Sequence, residues 1–416
     1  MTLPLPKTCP SRTPSTPINS IAFPNLVHLE KPMNRSNKLI RRSAITATAV
    51  LTLAGISACS DGGTTGESNV VGNTESLTSL FEGTEHEPPA ESPGAAQGAS
   101  VWWVSCGQGI PDCSVPANAA KEAAENLGIN FAIADGKQGV GGGNEAAVRT
   151  ALAAKPTAII VHGISCSEIE APVREAREAG VHVMGVEALD CSDTGGDDLY
   201  DFEMNYAETA QTSAEYFRNW GRLSAEYLIA ATDGKAQIVN NAGADPLHQI
   251  LNEAFVETIE SCADCKIIDT VGYTTPDLAP EGSWIQQFRA TLAKNPSTNA
   301  VFFPFDVHIA SAGGAQAVRE SGLNVASAGG SGQATAIDMV RDGMVSAITG
   351  AHSAEWLGWG AIDNINRALN GQPTVPQGVG FRTVDAEHNL PEQAGTDYKT
   401  PIDFKSAYKA AWASNG

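Results

Sequence analysis

Four stretches of this 416-residue chain carry residue types that could do chemistry, and each lacks the partner that chemistry requires. Residues 135–143 (DGKQGVGGG) follow an apolar run and are rich in glycine, as a phosphate cradle would be. They have neither the GxxxxGK[ST] order nor a complete GxGxxG, so they read as a loop before a helix. Residues 329–332 place Ser331 among glycines, but Gln333 stands where a GxSxG nucleophile elbow needs its last glycine. The acidic run 190–201 does not have the spacing of a calcium-binding EF-hand loop. Cys262 and Cys265 form a lone CxxC with no second pair and no matching histidines, a weak pattern for zinc. Together these point to binding rather than catalysis, with no cofactor expected.

Cys106, Cys113, Cys166, Cys191, Cys262 and Cys265 are an even set. In an oxidising compartment that favours disulfides, and spacing suggests the pairs 106–113, 166–191 and 262–265 among fifteen arithmetically allowed connectivities.

The elements that must position any site are legible from periodicity. Short Val/Ile/Ala-rich runs fall at 101–104, 131–133, 158–161, 181–186, 236–239, 266–268, 300–303 and 345–348. Continuous apolar runs of this length fit strands buried on both faces, as in parallel sheets. Amphipathic stretches separate them, with punctuation such as Pro116 and Gly128, or Pro172 and Gly180. Strand–helix alternation predicts a doubly wound α/β fold, and about 315 residues exceed one comfortable core, so two lobes are expected.

Before the folded body, Arg35, Lys38, Arg41 and Arg42 precede an uncharged stretch, 44–56, too short to span a bilayer. A basic flank, an apolar core and small residues define a secretory signal. Residues 56–59 (ISAC) resemble the lipobox of bacterial lipoproteins, in which Cys59 is lipidated and becomes the first mature residue. The first 32 residues lack a signal pattern, so Met33 reads as the start; Arg41-Arg42 is read as part of a general export signal rather than a twin-arginine one. Residues 60–100, rich in Gly, Ser, Thr, Glu and Pro, read as a disordered tether with a reach of roughly 35 Å. The expected location is therefore the outer face of a cell membrane, held by lipid. Seven of the 26 basic and one of the 47 acidic residues precede Cys59, which leaves the remainder at −27. So acidic a body repels phosphate backbones and excludes nucleic acid as a partner.

Residues 154–161 (AKPTAIIV) with 171–183 (APVREAREAGVHV), and 292–302 (LAKNPSTNAVF) with 315–322 (AQAVRESG), resemble the type I, ribose-binding-like periplasmic binding proteins of ABC importers. Residues 337–343 and 358–363 follow at matching spacing. The resemblance spans roughly 100–372. It implies two doubly wound parallel-sheet lobes joined by a three-strand hinge, closing on a ligand in the cleft. It places an extension and signal at 1–58, the tether at 59–99, one lobe at 100–210 plus 353–380, and the other at 211–352 plus 381–416. It implies a monomer that delivers a small solute to an ABC permease; a sensor signalling to a membrane receptor or histidine kinase is the alternative.

Mapped by that resemblance, the ligand-binding positions are Asp112, His162, Glu187, Asp306, Ser331 and His352, with Trp102 as an aromatic wall. Trp103, Trp220, Trp284, Phe305 and Trp356 lie in or near cleft segments. Ala188 and Leu251 stand where arginines are expected. Without those bidentate donors an anionic ligand is disfavoured, and the set suits a neutral polyhydroxylated or polar–aromatic solute.

Overall fold

A computed structural model of the protein describes residues 74–279 and 282–414. Cys59, the signal and the first part of the tether lie outside the described residues. Helix α1 (Thr74–Glu82) precedes the first lobe. That lobe contains β1 (Ser100–Ser105), α2 (Pro111–Leu127), β2 (Asn130–Asp135), α3 (Gly143–Ala153), β3 (Ala158–His162), α4 (Cys166–Glu178), β4 (His182–Val186) and β5 (Phe202–Glu203). Its five strands are all parallel, in the order β2-β1-β3-β4-β5. Every residue of β3 is buried, as its unbroken apolar run requires.

The second lobe begins with α5 (Ser213–Ala231), β6 (Gln237–Gly243), α6 (Pro246–Glu260), β7 (Lys266–Tyr273) and α7 (Ser283–Lys294). It continues with β8 (Ala300–Phe303), α8 (Asp306–Ile309), α9 (Gly314–Ser321), β9 (Ala326–Gly329), α10 (Ala334–Arg341) and β10 (Ala347–Ala351). Then α11 (Ala354–Leu369) returns to pack on α2 of the first lobe, and β11 (Arg382–Val384) closes the second sheet antiparallel to β10. The order of this sheet is β11-β10-β9-β8-β6-β7. These are the two mostly parallel lobes the alternation predicts. Strand β9 (ASAG) and the two short edge strands carry too little apolar pattern to be read from sequence.

Two helices start about six residues earlier than their prolines suggest. Helix α4 opens at Cys166, where Ser165 and Glu168 form a capping box, so Pro172 lies inside it rather than at its entrance. Helix α2 opens at Pro111 and ends on left-handed Gly128.

Two boundaries are corrected. Residues 74–99 are ordered and packed, not a disordered tether. Thr84 N–H donates to Phe381 O (2.8 Å), His86 N–H to Gly378 O (3.0 Å), and Ala96 N–H to Asn366 Oδ1 (2.9 Å). The segment has few large apolar groups, Leu77, Leu80 and Phe81, which pack on the core, and partners far along the chain satisfy its backbone. The terminal helix α12 (Phe404–Ala413) packs on α2 and α11 of the first lobe, so 381–416 does not belong wholly to the second. Fully buried Asp363 joins these additions: it accepts from Ser92, from Trp412 Nε1 (2.9 Å), from Arg367 Nε (2.6 Å) and from Gln377 Nε2 (3.1 Å). A buried carboxylate is tolerated only when so completely paired.

Among the described residues no helix is long and apolar enough to cross a membrane.

Candidate functional site

Parallel α/β sheets leave their functional surface beyond the carboxyl ends of the strands. Six of the seven mapped residues stand there, and they fall into two groups. His162 ends β3, Glu187 follows β4 and His352 follows β10. The His162 Nε2 lies 3.1 Å from Glu187 Oε2, and His352 Nε2 lies 3.7 Å from Glu187 Oε1. Glu187 therefore sits between an imidazole of its own lobe and one that follows a strand of the other. The Nδ1 of His352 is 2.8 Å from Gly350 O, which fixes the ring.

Glu187 adopts φ 47°, a left-handed conformation uncommon for a residue with a side chain. Such strain costs on the order of 1–3 kcal/mol and persists where neighbours enforce it. Here the enforcers are Tyr206, whose hydroxyl accepts from Glu187 N–H, and Ser213, whose Oγ accepts from Ala188 N–H at 3.1 Å. Burial pushes the Glu187 carboxyl up, but the His162 hydrogen bond and the His352 charge outweigh it, so its pKa falls below the ordinary value.

The second group joins the lobes through a hydroxyl. Ser331 Oγ is 2.8 Å from Asp306 Oδ2 on the second lobe and 3.2 Å from Asp112 Oδ1 on the first. One hydroxyl proton cannot serve both carboxylates. Asp306 also accepts from Ser331 N–H (3.0 Å) and Gln333 N–H (2.8 Å), so it pins the loop after β9. That loop needs glycine. A Cβ at Gly329 (φ 133°) would lie 1.7 Å from Phe303 O, and one at Gly330 (φ 75°) 2.2 Å from Asp306 Oδ1. The glycines around Ser331 are thus a packing requirement. Burial and then the Asp112 charge push the Asp306 carboxyl up to about 7. Burial raises Asp112 as well, with Glu187 adding to it against the Gln333 hydrogen bond and the His352 charge.

Trp102 is the exception. It packs against the cluster of Val104, Ala147 and Val161, on the opposite sheet face from Trp103. Its neighbour Trp103, fully buried on the opposite face, has its ring 5.1 Å from His162. Strand alternation puts the two on opposite faces, and nothing in the period says which ring stands near His162. Trp220 and Tyr216 of α5 stand 5.7 and 6.0 Å from His352, and Phe305 stands 5.4 Å from Trp220. Trp284 and Trp356 are core: the first donates to Asn241 Oδ1 (2.9 Å), the second to Tyr408 (3.1 Å).

All three cysteine pairs form disulfides as spacing suggests. Two of them brace the site. Cys106–Cys113 closes the loop that carries Asp112, and Cys166–Cys191 ties the loops after β3 and β4 that present His162 and Glu187. The acidic run is structural at its head, since Asp190 accepts from Ser192, Leu199 and Tyr200 N–H groups. Ala188 and Leu251, at the two expected arginine positions, are fully buried apolar groups. Sequence reading missed Tyr206, Ser213 and Gln333; only Ser213, at a helix start, carried any local signal.

Residues 100–373 match the periplasmic binding protein domain family, and the chain belongs to that family. It is a family of solute-binding proteins of the type I fold, not of enzymes. Among solved structures the chain is similar to a galactofuranose binding protein, 18% identical over 75% of this chain and 97% of that one, with a TM-score of 0.51. An ABC transporter periplasmic solute binding protein from Actinobacillus succinogenes 130z with bound D-allose is 19% identical over 70% and 98%, TM-score 0.55. A glucose-galactose binding protein from Geobacillus stearothermophilus is 16% identical over 71% and 100%, TM-score 0.58. At these identities the likeness is one of fold. No curated protein sequence matches the chain.

Proposed function

We propose that this protein is an extracytoplasmic, lipid-anchored substrate-binding protein that captures a small neutral sugar-like solute by hinge closure and delivers it to an ABC importer. The observation that carries this reading is the meeting of the two lobes through polar groups: Ser331 with Asp112, and His352 with Glu187. Groups of this kind exchange hydrogen bonds readily with hydroxyls, so a polyol between the lobes would tie the closed form together. The similar solved structures are sugar-binding by their descriptions, which supports the same chemistry here. Apolar residues at both arginine positions disfavour anions, and the partly buried ring of Phe305, edge-on to Trp220, offers flat apolar surface to a sugar ring.

A thermal-shift screen against sugars, polyols, nucleosides and phenolic compounds tests this. A selective ligand at a hundredfold its Kd adds about 2.7 kcal/mol of stability. A sugar should give the largest shift, and Glu187→Ala should remove it. Shifts only from anions, or a full shift in the variant, would contradict the cleft assignment. The anchor is tested separately: Cys59→Ala should move the protein from membrane to soluble fractions.

A further inference from the structure

A cavity of about 580 Å³ among the described residues is only half built from the family's own body. Its inner wall is Asp112, Ser331, Gln333 and His352, the cleft residues themselves. Its outer wall is Asp397, Tyr398, Lys399, Thr400, Asp403 and Phe404, beyond the family match that ends at residue 373.

That outer wall is held to both lobes. On the second lobe, Tyr398 N–H donates to Gly332 O (2.7 Å) and Ala334 N–H donates to Asp397 Oδ1 (2.7 Å). The Tyr398 hydroxyl donates to Glu85 of the ordered N-terminal segment at 2.9 Å. On the first lobe, Phe404 stacks on Trp356 with centroids 5.2 Å apart, and Lys405 Nζ reaches Glu122 (2.7 Å) and Glu355 (3.2 Å). A segment tied at both ends thus walls one side of the same cavity that the cleft residues line on the other.

The volume lies within the range of about 300–1,000 Å³ that encloses most of a drug-sized ligand, and exceeds what one sugar ring fills. The lining pairs apolar Val115, Ile402 and Phe404 with the polar Gln333, Lys399 and Asp112, the mixture a sugar ring or a small aglycone engages. We infer that the ligand has at least two units, a disaccharide or glycoside, with one unit against Asp112, Ser331 and His352 and the next against the wall at 395–405. This rests on the sugar-binding reading above and specifies the size of that ligand.

Calorimetry on the whole chain, with monosaccharides against their disaccharides and phenyl glycosides, tests it. At least one extended compound should bind tenfold or more tightly than its parent monosaccharide. Lys399→Trp, at an exposed lining position, should fill the groove and abolish that advantage while the monosaccharide affinity stays within about twofold; Thr400→Trp serves as a second filler. Equal affinity for short and extended sugars, or an advantage that survives both fillers, overturns the inference and leaves the sugar-binding reading intact. Binding of no sugar of either size overturns both.

Discussion

Two carboxylates of the cleft, Glu187 and Asp306, are shifted in opposite directions. Glu187 lies between two imidazoles and is held below the ordinary carboxylate range. Asp306 faces another carboxylate through one serine hydroxyl, and burial with that neighbour lifts it to about 7. The lesson is that burial alone does not set the charge of a cleft; the sign of the nearest partner does. One side of the cleft holds a stable anion and the other readily holds a proton, so the site offers a hydroxyl-rich ligand both an acceptor and a donor.

The largest effect expected from this contrast is on stability against pH. A group whose folded pKa is raised holds its proton in the folded state, so its contribution is intact below its unfolded pKa and is lost as pH climbs through the folded one. For Asp306 that window runs from 3.8 to about 7 and is worth on the order of 4 kcal/mol. Urea unfolding at pH 4.5 and 7.5 should show this loss, and Asp306→Asn should flatten it; an unchanged slope would break the contrast from one side. Glu187 has the opposite sign. Its contribution is present above the unfolded value of 4.5 and disappears as pH falls, so Glu187→Gln should reduce acid sensitivity.

Next in size is the brace on the histidine side. Replacing both Cys166 and Cys191 by serine opens the crosslink between the His162 and Glu187 loops and should cost about 3 kcal/mol. Ligand affinity should fall with stability, whereas loss of Cys262–Cys265, remote from the cleft, should change stability only. Equal effects on affinity would remove the bracing role.

Binding itself should respond more modestly. Glu187→Gln keeps the shape and removes a charged acceptor, worth about 1.5–3 kcal/mol, or roughly ten- to a hundredfold in Kd for the solute. Calorimetry on the variant measures this. The smallest expected change is at β1: Trp102→Phe should leave affinity unchanged, while Trp103→Phe, beside His162, should weaken it several-fold.

Much of the fold was legible because its signals are local. Eight apolar runs became strands, and both proline–glycine punctuations marked real helices. The three disulfides followed from spacing, and six of seven mapped residues reached the cleft through strand order and family resemblance. What was not legible depends on distant partners. Residues 74–99 read as a tether because their composition is polar, yet Asn366, Arg367 and Phe381 satisfy their backbone from about 270 to 300 positions away. The wall at 395–405 has no motif and acquires meaning only from Gly332, Glu122 and Glu355. Asp306 was mapped as a ligand contact; that its oxygens also accept three loop donors is a fact no spacing reveals.

Small-angle scattering of the protein with and without its most stabilising sugar tests the two-lobed clamp most directly. The radius of gyration should fall as the sugar saturates the cleft, and Glu187→Ala should not compact at the same concentration. A wild-type protein that binds the sugar to saturation by calorimetry and keeps an unchanged scattering profile would contradict hinge closure.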